Sequence, residues 1–311
     1  MYKRQLPLRL YELAKSFRAE KRGELTGFRR LRAFTMPDCH ALCSNMEQAK
    51  EEILRRFELA KEIEEGIGFK VPEDFELGIR IVKDFLEKNK DYVVSLVKKW
   101  GKPALLEVWD KQFFYFVMKY EWNFVDSLGK ASALTTDQID VENAKRYDLS
   151  FVDKDGKKKR PLILHFSPGA VERIIYALLE KAYMQYKEGK KPQLPLWLSP
   201  TQVRICPVSK SYLKYCTRLA NELSKERIRV DVDDRELTVS KKVREAEKEW
   251  IPFIVVFGEK EVGGKLTVRT REGKQEKIEK KELIERVANE EKPSRGLPLP
   301  MLLTKRPIFF G

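Results

Sequence analysis

The chain has 311 residues and a formal charge of +14, with 62 Lys and Arg against 48 Asp and Glu. Because single hydrophobic cores usually stop growing at about 250 to 300 residues, this length predicts two domains. The mixed charges exclude a simple basic tail and suit a polyanionic partner, and the lack of a signal peptide or of any apolar run near roughly 18 residues predicts a cytosolic protein without a membrane span.

The first 190 residues predict a mixed domain of helices and strands. The predicted elements are, in chain order, a long-looped hairpin of runs 13–20 and 30–43, a helix ending near the glycines at 66 and 68, a helix over 72–90, strands over 113–120 and 133–141, and a hairpin turning at 153–156. The β-rich runs follow one another closely, so an antiparallel sheet is the simplest arrangement.

Local signals define the ends of the helices in this domain. Ser44 and Glu47 have the spacing of a capping box, which predicts the start of the first helix. Gly169 opens a last helix after a strand. Its apolar residues predict a broad face packed on the sheet, and they are Val171, Ile174, Ile175, Leu178 and Leu179.

A second, smaller domain is predicted after a Lys-, Gly- and Pro-rich boundary. We assign residues 191–199 to a linker, 200–290 to the second domain and 291–311 to an extended tail that packs along a neighbouring surface. Strands over 203–208, 228–232 and 253–257 alternate with helices over 212–223 and 239–250, and a hairpin-like run at 265–271 and a helix at 280–288 follow. This alternation predicts a βαβ arrangement.

The four cysteines are Cys39, Cys43, Cys206 and Cys216. Without paired C-x-x-C spacing or a secretory context, we interpret them as reduced thiols. A metal site at Cys39 and Cys43 stays an alternative, but it has no second cysteine pair to complete it.

One cluster of residues has the composition of a nucleotide site. Arg18 and Glu20 precede the hairpin loop, and Arg30 and Phe34 follow it, so alternate side chains share one face. An arginine can pair with a phosphate, an aromatic ring can stack on adenine, and a carboxylate can accept from the base amino group. The alternative is a solvated hairpin with surface arginines. The pair Glu172 and Arg173, at the start of the last helix, supplies a second fixed arginine and favours the nucleotide site.

The pattern F-R-x-E, loop, R-x-x-x-F resembles motif 2 of class II aminoacyl-tRNA synthetases, and Gly-Ala-Val-Glu-Arg at 169–173 resembles their motif 3. The resemblance covers nearly the whole chain after residue 5. It implies an α+β antiparallel-sheet synthetase core, incomplete because motif 1 is missing, over residues 1–190, followed by an α/β anticodon-binding domain. It also implies that Arg18 and Arg173 are catalytic and bind the phosphates of ATP with Mg²⁺, that Phe34 stacks on adenine, and that Glu20 and Arg30 complete the ATP site.

The only two histidines in the chain, His40 and His165, flank this site. Lone histidines are usually core or surface residues, but both positions resemble the zinc ligands of threonyl-tRNA synthetases. The third ligand in that family is a cysteine upstream of motif 2, which this sequence lacks. The resemblance further implies that Zn²⁺ binds the amino and hydroxyl groups of threonine, that Asp38 accepts the substrate amino group, and that Gln138 lies beside the substrate. Metal ligation suits this task because an apolar pocket separates threonine from valine by only about a hundredfold.

The second domain resembles the anticodon-binding domain of the same family. Glu261 and Arg269 would read anticodon bases, whereas the alternative is a cross-strand surface pair between them. Charge alone leaves RNA, DNA or no nucleic acid open, since abundant Lys and Glu is also typical of proteins from hot environments.

The resemblance as a whole implies a threonine–tRNA ligase with threonine, ATP and tRNA(Thr) as partners and a homodimer for the intact protein. Two departures count against it: motif 1 and the upstream cysteine are absent, and the segment from His165 to Arg173 is one residue shorter than the family pattern. A non-catalytic relative that binds tRNA or regulates a partner therefore stays an alternative, as does, less favourably, a synthetase for another amino acid.

Overall fold

A computed structural model describes residues 1–288 and 295–307. The chain forms two compact units, Met1–Met184 and Gln185–Gly311. Over the residues so described, no helix combines the length and the apolar content that crossing a membrane requires.

The first unit is built on a seven-stranded sheet. The strands of this unit are β1 (Leu8–Phe17), β2 (Ala33–Cys43), β3 (Phe75–Val82), β4 (Ala104–Trp109), β5 (Phe116–Val125), β6 (Ala131–Asp140), β7 (Phe151–Val152), β8 (Lys158–Lys159) and β9 (Leu162–Phe166). The large sheet has the order β1-β2-β9-β6-β5-β3-β4, and β7 pairs with β8 alone. Pairing is antiparallel except between β3 and β4, so the predicted antiparallel sheet is confirmed with one parallel pair added.

One face of this sheet is buried beneath helices. The helices of the first unit are α1 (Met46–Gly66), α2 (Lys83–Lys88), α3 (Lys90–Trp100), α4 (Asn143–Arg146) and α5 (Val171–Lys187), of which α4 packs on the other face, against Leu42 and Ile163. Phe57 of α1 lies 4.9 to 6.1 Å, between ring centroids, from Trp100, Tyr120 and Trp122. Successive residues of a strand point to opposite faces. Side chains on the face away from this aromatic core are therefore free to line a site.

The prediction of a helix over residues 72–90 is wrong for most of that segment, because β3 occupies its centre. Leu77, Ile79 and Ile81 are at most 1% exposed, so burial recurs at every second residue, as in a strand. Leu77 and Ile81 also have the four-residue spacing of a helix face. The segment pairs with β4 and β5, both later in the chain, and therefore forms a strand with a two-residue period rather than a helix.

The predicted capping box at the start of α1 is also wrong in position. Asn45, rather than Ser44, is the N-cap, and its Oδ1 accepts a hydrogen bond from the Gln48 N–H at 2.9 Å. The Gln48 Oε1 accepts from the Ser44 N–H at 2.8 Å. Asparagine caps helices about as well as serine, so the cap moves by one residue. The predicted end of α1 is confirmed, since the helix ends at Gly66.

The apolar face of α5 is narrower than predicted. Leu178 is buried together with Ala177 and Ala182. Val171, Ile175 and Leu179 are 38 to 42% exposed, so the prediction that they pack on the sheet is wrong. The apolar residues span more of the helix circumference than the buried side covers, and the small alanines define that side instead.

The second unit is a small α/β domain, as predicted. Its elements are β10 (Val203–Pro207), α6 (Leu213–Lys225), β11 (Val230–Val232), α7 (Val239–Lys248), β12 (Phe253–Phe257), β13 (Leu266–Thr270), β14 (Gln275–Ile278) and α8 (Lys280–Ala288). The sheet order is β11-β10-β12-β13-β14, with the first three strands parallel. Val203, Ile205 and Val255 are fully buried against α6 residues such as Leu223.

The segments before and after this domain also bind to it. In the predicted linker, the carbonyl of Trp197 accepts from Arg229 at 2.6 Å and that of Leu194 accepts from Arg271 at 2.6 Å. The tail runs beside β11, as predicted, where the Val232 N–H donates to the carbonyl of Met301 at 3.0 Å. Residues 289–290 of the predicted domain, and 291–294 and 308–311 of the predicted tail, lie outside the described residues.

Candidate active site

A pocket of about 390 Å³ opens on the sheet of the first unit. It lies opposite the aromatic core, because Asp137 of β6 binds Arg56 of α1 whereas the next residue, Gln138, lines the pocket. The pocket brings together seven of the residues predicted for the site, which are Arg18, Phe34, Asp38, His40, Gln138, His165 and Arg173. Two further predicted residues, Glu20 and Arg30, are not in its lining.

The hairpin of β1 and β2 supplies one wall of the pocket. Its register pairs Phe17 with Ala33, and the Arg18 N–H donates to the carbonyl of Arg32 at 2.8 Å. The Arg18 guanidinium lies 5.2 Å from the ring centroid of Phe34, a distance at which a cation is attracted to an aromatic face. A cation and a largely buried ring are thus adjacent at the pocket.

Glu20 and Arg30 bind each other instead. The Glu20 carboxylate accepts from Arg30 Nε at 3.0 Å, and Arg30 Nη2 lies 2.9 Å from the same oxygen. The hydrogen bond from Arg30 holds the pKa of Glu20 below its usual range. The predicted ATP contacts of these two side chains would require this ion pair to open.

Motif 3 contains the glycine turn, although the segment is one residue short. Gly169 has φ of +116°, and a Cβ there would lie 3.2 Å from the backbone carbonyl atoms of Leu134. Both the conformation and the close approach therefore require glycine. The turn brings α5 to the pocket, where Glu172 accepts from the N–H and hydroxyl of Thr35 at 2.8 and 3.0 Å. Sequence reasoning did not find this bond between motifs 2 and 3.

Arg173 is held by backbone carbonyls rather than by a carboxylate. Its Nη1 donates to the carbonyl of Ala133 at 2.8 Å and its Nε to that of Arg29 at 3.2 Å. Burial, together with the charges of Arg18 and Arg29, lowers the pKa of Arg173. Arg18 and Arg173 both line the pocket, and two cations facing one pocket are suited to bind an anion.

The two histidines lie opposite each other in the sheet, at one register position of β2 and β9. Their Nδ1 atoms are 3.1 Å apart, and His165 Nε2 lies 2.8 Å from Asp140 Oδ2. Burial and the neighbouring His165 lower the pKa of His40, which favours the neutral imidazole that metals bind.

This spacing fits a shared metal ion. Two nitrogens each about 2.0 to 2.1 Å from a tetrahedral zinc are separated by roughly 3.3 Å. No group of three or more His, Cys, Asp or Glu side chains able to hold a metal occurs within residues 1–288 and 295–307. Cys39 is adjacent to His40 in β2, so its side chain points to the other face. All four cysteines are free thiols, as predicted, and burial raises the pKa of Cys43 to about 12.

Sequence reasoning missed several residues of the pocket. The Tyr115 hydroxyl donates to Gln138 Oε1 at 2.8 Å, and Lys119 Nζ lies 2.6 Å from Glu121 Oε1. The aromatic run that contains Tyr115 predicted only a strand. A register shift in β5 between Phe116 and Met118 follows Tyr115, and the sequence contains no signal for it.

In the second unit, Glu261 and Arg269 bind different partners. Glu261 is 9% exposed and accepts from the Gly258 N–H at 2.9 Å and from the Thr267 hydroxyl at 2.6 Å. Arg269 donates from Nε to Glu247 at 2.7 Å, with both side chains more than a third exposed. The cross-strand pair between Glu261 and Arg269 is therefore not formed, whereas Arg269 is accessible to a ligand.

Comparison with known proteins adds to this geometry. A family model described as "tRNA synthetase class II core domain (G, H, P, S and T)" matches residues 1–182, and one described as "Anticodon binding domain" matches residues 202–290. A solved structure described as the RNA binding domain of threonyl-tRNA synthetase from Cryptosporidium parvum Iowa II matches with a TM-score of 0.76 and 28% identity, over 93% of this chain and 72% of that chain.

Two curated relatives extend the comparison. One from Pyrococcus horikoshii, named threonine–tRNA ligase, is 55% identical over 314 residues, which cover 99% of this chain and 50% of the relative. One of the same name from Methanosarcina barkeri is 51% identical over 98% of this chain and 49% of its own length. The chain spans about half the length of the curated relatives it matches. The predicted resemblance to threonyl-tRNA synthetases is confirmed, and because the core model matches more than half of the chain, the chain belongs to the class II tRNA synthetases.

Proposed function

We propose that the chain carries the adenylation pocket and the anticodon-binding domain of a threonine–tRNA ligase. The observation that carries this proposal is the convergence of two arginines, two histidines, Asp38 and Gln138 in one pocket. The names of the curated relatives support threonine as the amino acid.

In the first step the threonine carboxylate attacks the α-phosphate of ATP, and pyrophosphate leaves. No side-chain nucleophile is required, so catalysis rests on position and charge. Arg18 would stabilise the charge that develops at the α-phosphate, and Arg173 would hold the distal phosphates with Mg²⁺. Its bonds to backbone carbonyls hold Arg173 in place before ATP arrives, so little reorganisation is needed. Phe34 would stack on adenine, and Glu20 and Arg30 would bind the nucleotide after their mutual pair opens.

His40 and His165 would hold Zn²⁺, with further ligands outside the described residues. Direct ligation of the threonine hydroxyl rejects valine far better than an apolar pocket does. Asp38 would accept from the substrate amino group. Gln138, whose Oε1 is bound by Tyr115, would present its amide nitrogen to the substrate.

The second step transfers threonine to tRNA(Thr). Glu261 and Arg269 of the second unit would read anticodon bases, although Glu261 would first have to release its bond from Thr267. A homodimer and a cytosolic location complete this proposal for the whole protein.

The test is threonine-dependent exchange of pyrophosphate into ATP, measured for the full-length product of the gene and for this chain. Serine and valine serve as competing amino acids. Full-length protein should exchange with threonine, and His40→Ala should lose at least about a hundredfold of that rate. Arg269→Gln is the matched control, because it lies outside the pocket and should leave exchange unchanged.

The alternative is a synthetase-like protein that binds tRNA without catalysis. The ion pair between Glu20 and Arg30 favours it, since two predicted ATP contacts are engaged with each other. Exchange with no amino acid, together with binding of tRNA(Thr), would establish this alternative and reject the ligase.

A further inference from the structure

Asp140, the last residue of β6, is fully buried and bound on both carboxylate oxygens. Its Oδ1 accepts from the backbone N–H groups of Glu142 and Asn143 at 2.8 and 2.9 Å. Its Oδ2 accepts from Asn143 Nδ2 at 2.6 Å and faces His165 Nε2 at 2.8 Å. The carboxylate is therefore fixed in orientation before any metal or substrate binds.

We propose that Asp140 is a positioning residue that selects the metal-binding nitrogen of His165, by holding the ring proton on Nε2 and leaving the Nδ1 lone pair facing His40. This inference rests on the metal role proposed above and adds to it the tautomer and the residue that sets it. An ionised carboxylate only accepts hydrogen bonds, so the Nε2 opposite it must carry a proton. In a neutral imidazole the other nitrogen, Nδ1, is then free to act as a ligand.

The tautomer of His165 has a consequence for His40. With Nδ1 of His165 as an acceptor at 3.1 Å, Nδ1 of His40 donates in the metal-free neutral pair. For both Nδ1 atoms to serve as metal ligands, the single ring proton of neutral His40 would have to move from Nδ1 to Nε2, with no net release of a proton. Metal binding thus requires a change of tautomer at His40 only, because Asp140 already keeps the Nδ1 of His165 free of a proton.

Asparagine at position 140 would reverse this selection. The two backbone N–H donors at Oδ1 require an acceptor, so the amide oxygen of Asp140→Asn must take that place. The amide NH₂ then lies where Oδ2 was and donates toward His165 Nε2. Nε2 must accept, and the ring proton moves to Nδ1, where it blocks the metal ligand.

The surroundings accommodate this substitution without loss of a hydrogen bond. Asn143 Nδ2 would face the new NH₂ group, but rotation of the Asn143 amide places its oxygen there instead. That oxygen is buried and, among the described residues, has no partner at present. The Asp140→Asn chain is therefore expected to fold, with its defect confined to the tautomer.

The tautomer can be read directly by ¹⁵N NMR, because the whole chain contains only two histidines. The experiment uses ¹⁵N-histidine-labelled chain without metal at about pH 8.5, some two units above the ordinary histidine pKa of about 6.5. His40→Gln assigns the two rings. The wild-type spectrum should show His165 protonated on Nε2, and Asp140→Asn should show it protonated on Nδ1.

A second arm adds ZnCl₂ to the same samples. Zn²⁺ should shift the Nδ1 resonances of both histidines in the wild type, and Asp140→Asn should weaken the apparent affinity by about 10- to 100-fold. Asp126→Asn is the matched control, because Asp126 also accepts from two backbone N–H groups and one side chain but does not line the pocket. It should leave the tautomer and the Zn²⁺ affinity unchanged.

Two results would overturn the inference. One is a wild-type His165 protonated on Nδ1, which needs no variant to fold. The other is an Asp140→Asn chain with unchanged tautomer and Zn²⁺ affinity. Neither readout requires amino-acid activation, so absence of pyrophosphate exchange would reject the ligase and leave this inference standing, and the reverse also holds.

Discussion

An arginine is buried against an aspartate in each unit, but the two are satisfied to different degrees. Arg204 of β10 makes four hydrogen bonds of 2.7 to 3.0 Å to Asp231 and Glu249. Arg56 of α1 reaches Asp137 with Nη1 alone, at 3.2 and 3.4 Å. The Nε and Nη2 atoms of Arg56 are buried and have no hydrogen-bond partner among the described residues.

The difference shows where the molecule accepts poorly compensated charge. Taking charges out of water is repaid only when geometry and hydrogen bonding are good, as around Arg204. Beneath the pocket, burial raises the pKa of Asp137 to about 6, and burial raises that of Glu64 to about 8. Asp137 also accepts from the N–H of Gln138, a proposed substrate contact. Arg56, Asp137 and Glu64 thus form a poorly compensated layer, meaning buried charged groups with few hydrogen-bond partners. This layer directly supports the pocket, as is common at functional sites.

The largest expected effect on stability comes from removing Arg204, the buried arginine with the more complete set of hydrogen bonds. Arg204→Met should cost about 3–4 kcal/mol of unfolding free energy, because buried Asp231 loses its bidentate partner. Among the described residues, the Asp231 carboxylate then keeps only Arg306 Nη2 at 2.8 Å and the Thr201 hydroxyl at 3.1 Å. Urea unfolding measures the loss, and hydrogen exchange with mass spectrometry locates it in the second unit. Arg218→Met, at an arginine that is 82% exposed on its side chain, is the matched control and should change stability by under about 0.5 kcal/mol. A loss of similar size in both variants would contradict the comparison.

The next effect concerns pH and Glu64. A carboxyl whose pKa is about 8 when folded and near 4.5 when unfolded stabilises the fold below pH 4.5 and loses that contribution as the pH rises to about 8. Glu64→Gln keeps an oxygen for the Thr135 hydroxyl and cannot ionise. At pH 9 it should exceed the wild type by on the order of 3 kcal/mol, with no gain at pH 4.

Thermal unfolding at pH 4, 7 and 9 measures this difference. Glu62→Gln is the matched control, since Glu62 is exposed two residues away on the same helix. An equal pH dependence in wild type and Glu64→Gln would show that Glu64 is solvated and would remove it from the poorly compensated layer.

Arg56→Met should cost less than Arg204→Met, about 1–2 kcal/mol at pH 5, because two of the three guanidinium nitrogens lose no hydrogen bond. Asp137 can also take up a proton at this pH, since its pKa is already raised to about 6. Without Arg56, which lowers the pKa of Asp137, the carboxyl at pH 8 either ionises without a partner or keeps a proton that it would lose on unfolding, and both cost free energy, so the loss should grow. Urea titrations at both pH values check this, and a cost equal to that of Arg204→Met at pH 5 would abolish the distinction between the two pairs.

The sequence alone predicts elements whose signals are local, and this covers the hairpin of β1 and β2 and the alternation of the second unit. It does not predict β3, because the spacing of Leu77 and Ile81 fits a helix as well as a strand. Pairing with strands that are distant in sequence makes this segment a strand. The pocket depends on the order β2-β9-β6-β5, so Tyr115 and Asp140 acquire their partners only when the sheet forms. Arg56 and Glu64 mislead in another way, since charged residues on a helix indicate a solvated face, yet both are buried.

The smallest effect on stability belongs to Arg269, and it separates recognition from structure. Its bond to Glu247 is more than a third exposed on both sides, so Arg269→Gln should change the unfolding free energy by less than about 0.5 kcal/mol. If Arg269 reads a base, its loss should weaken binding of a hairpin with the anticodon loop of tRNA(Thr) by about tenfold or more. Glu247→Gln is the control, because it removes the same ion pair but leaves the arginine in place, and it should retain RNA affinity. Unchanged affinity in Arg269→Gln would restrict Arg269 to the surface ion pair and leave RNA binding to other residues of the second unit.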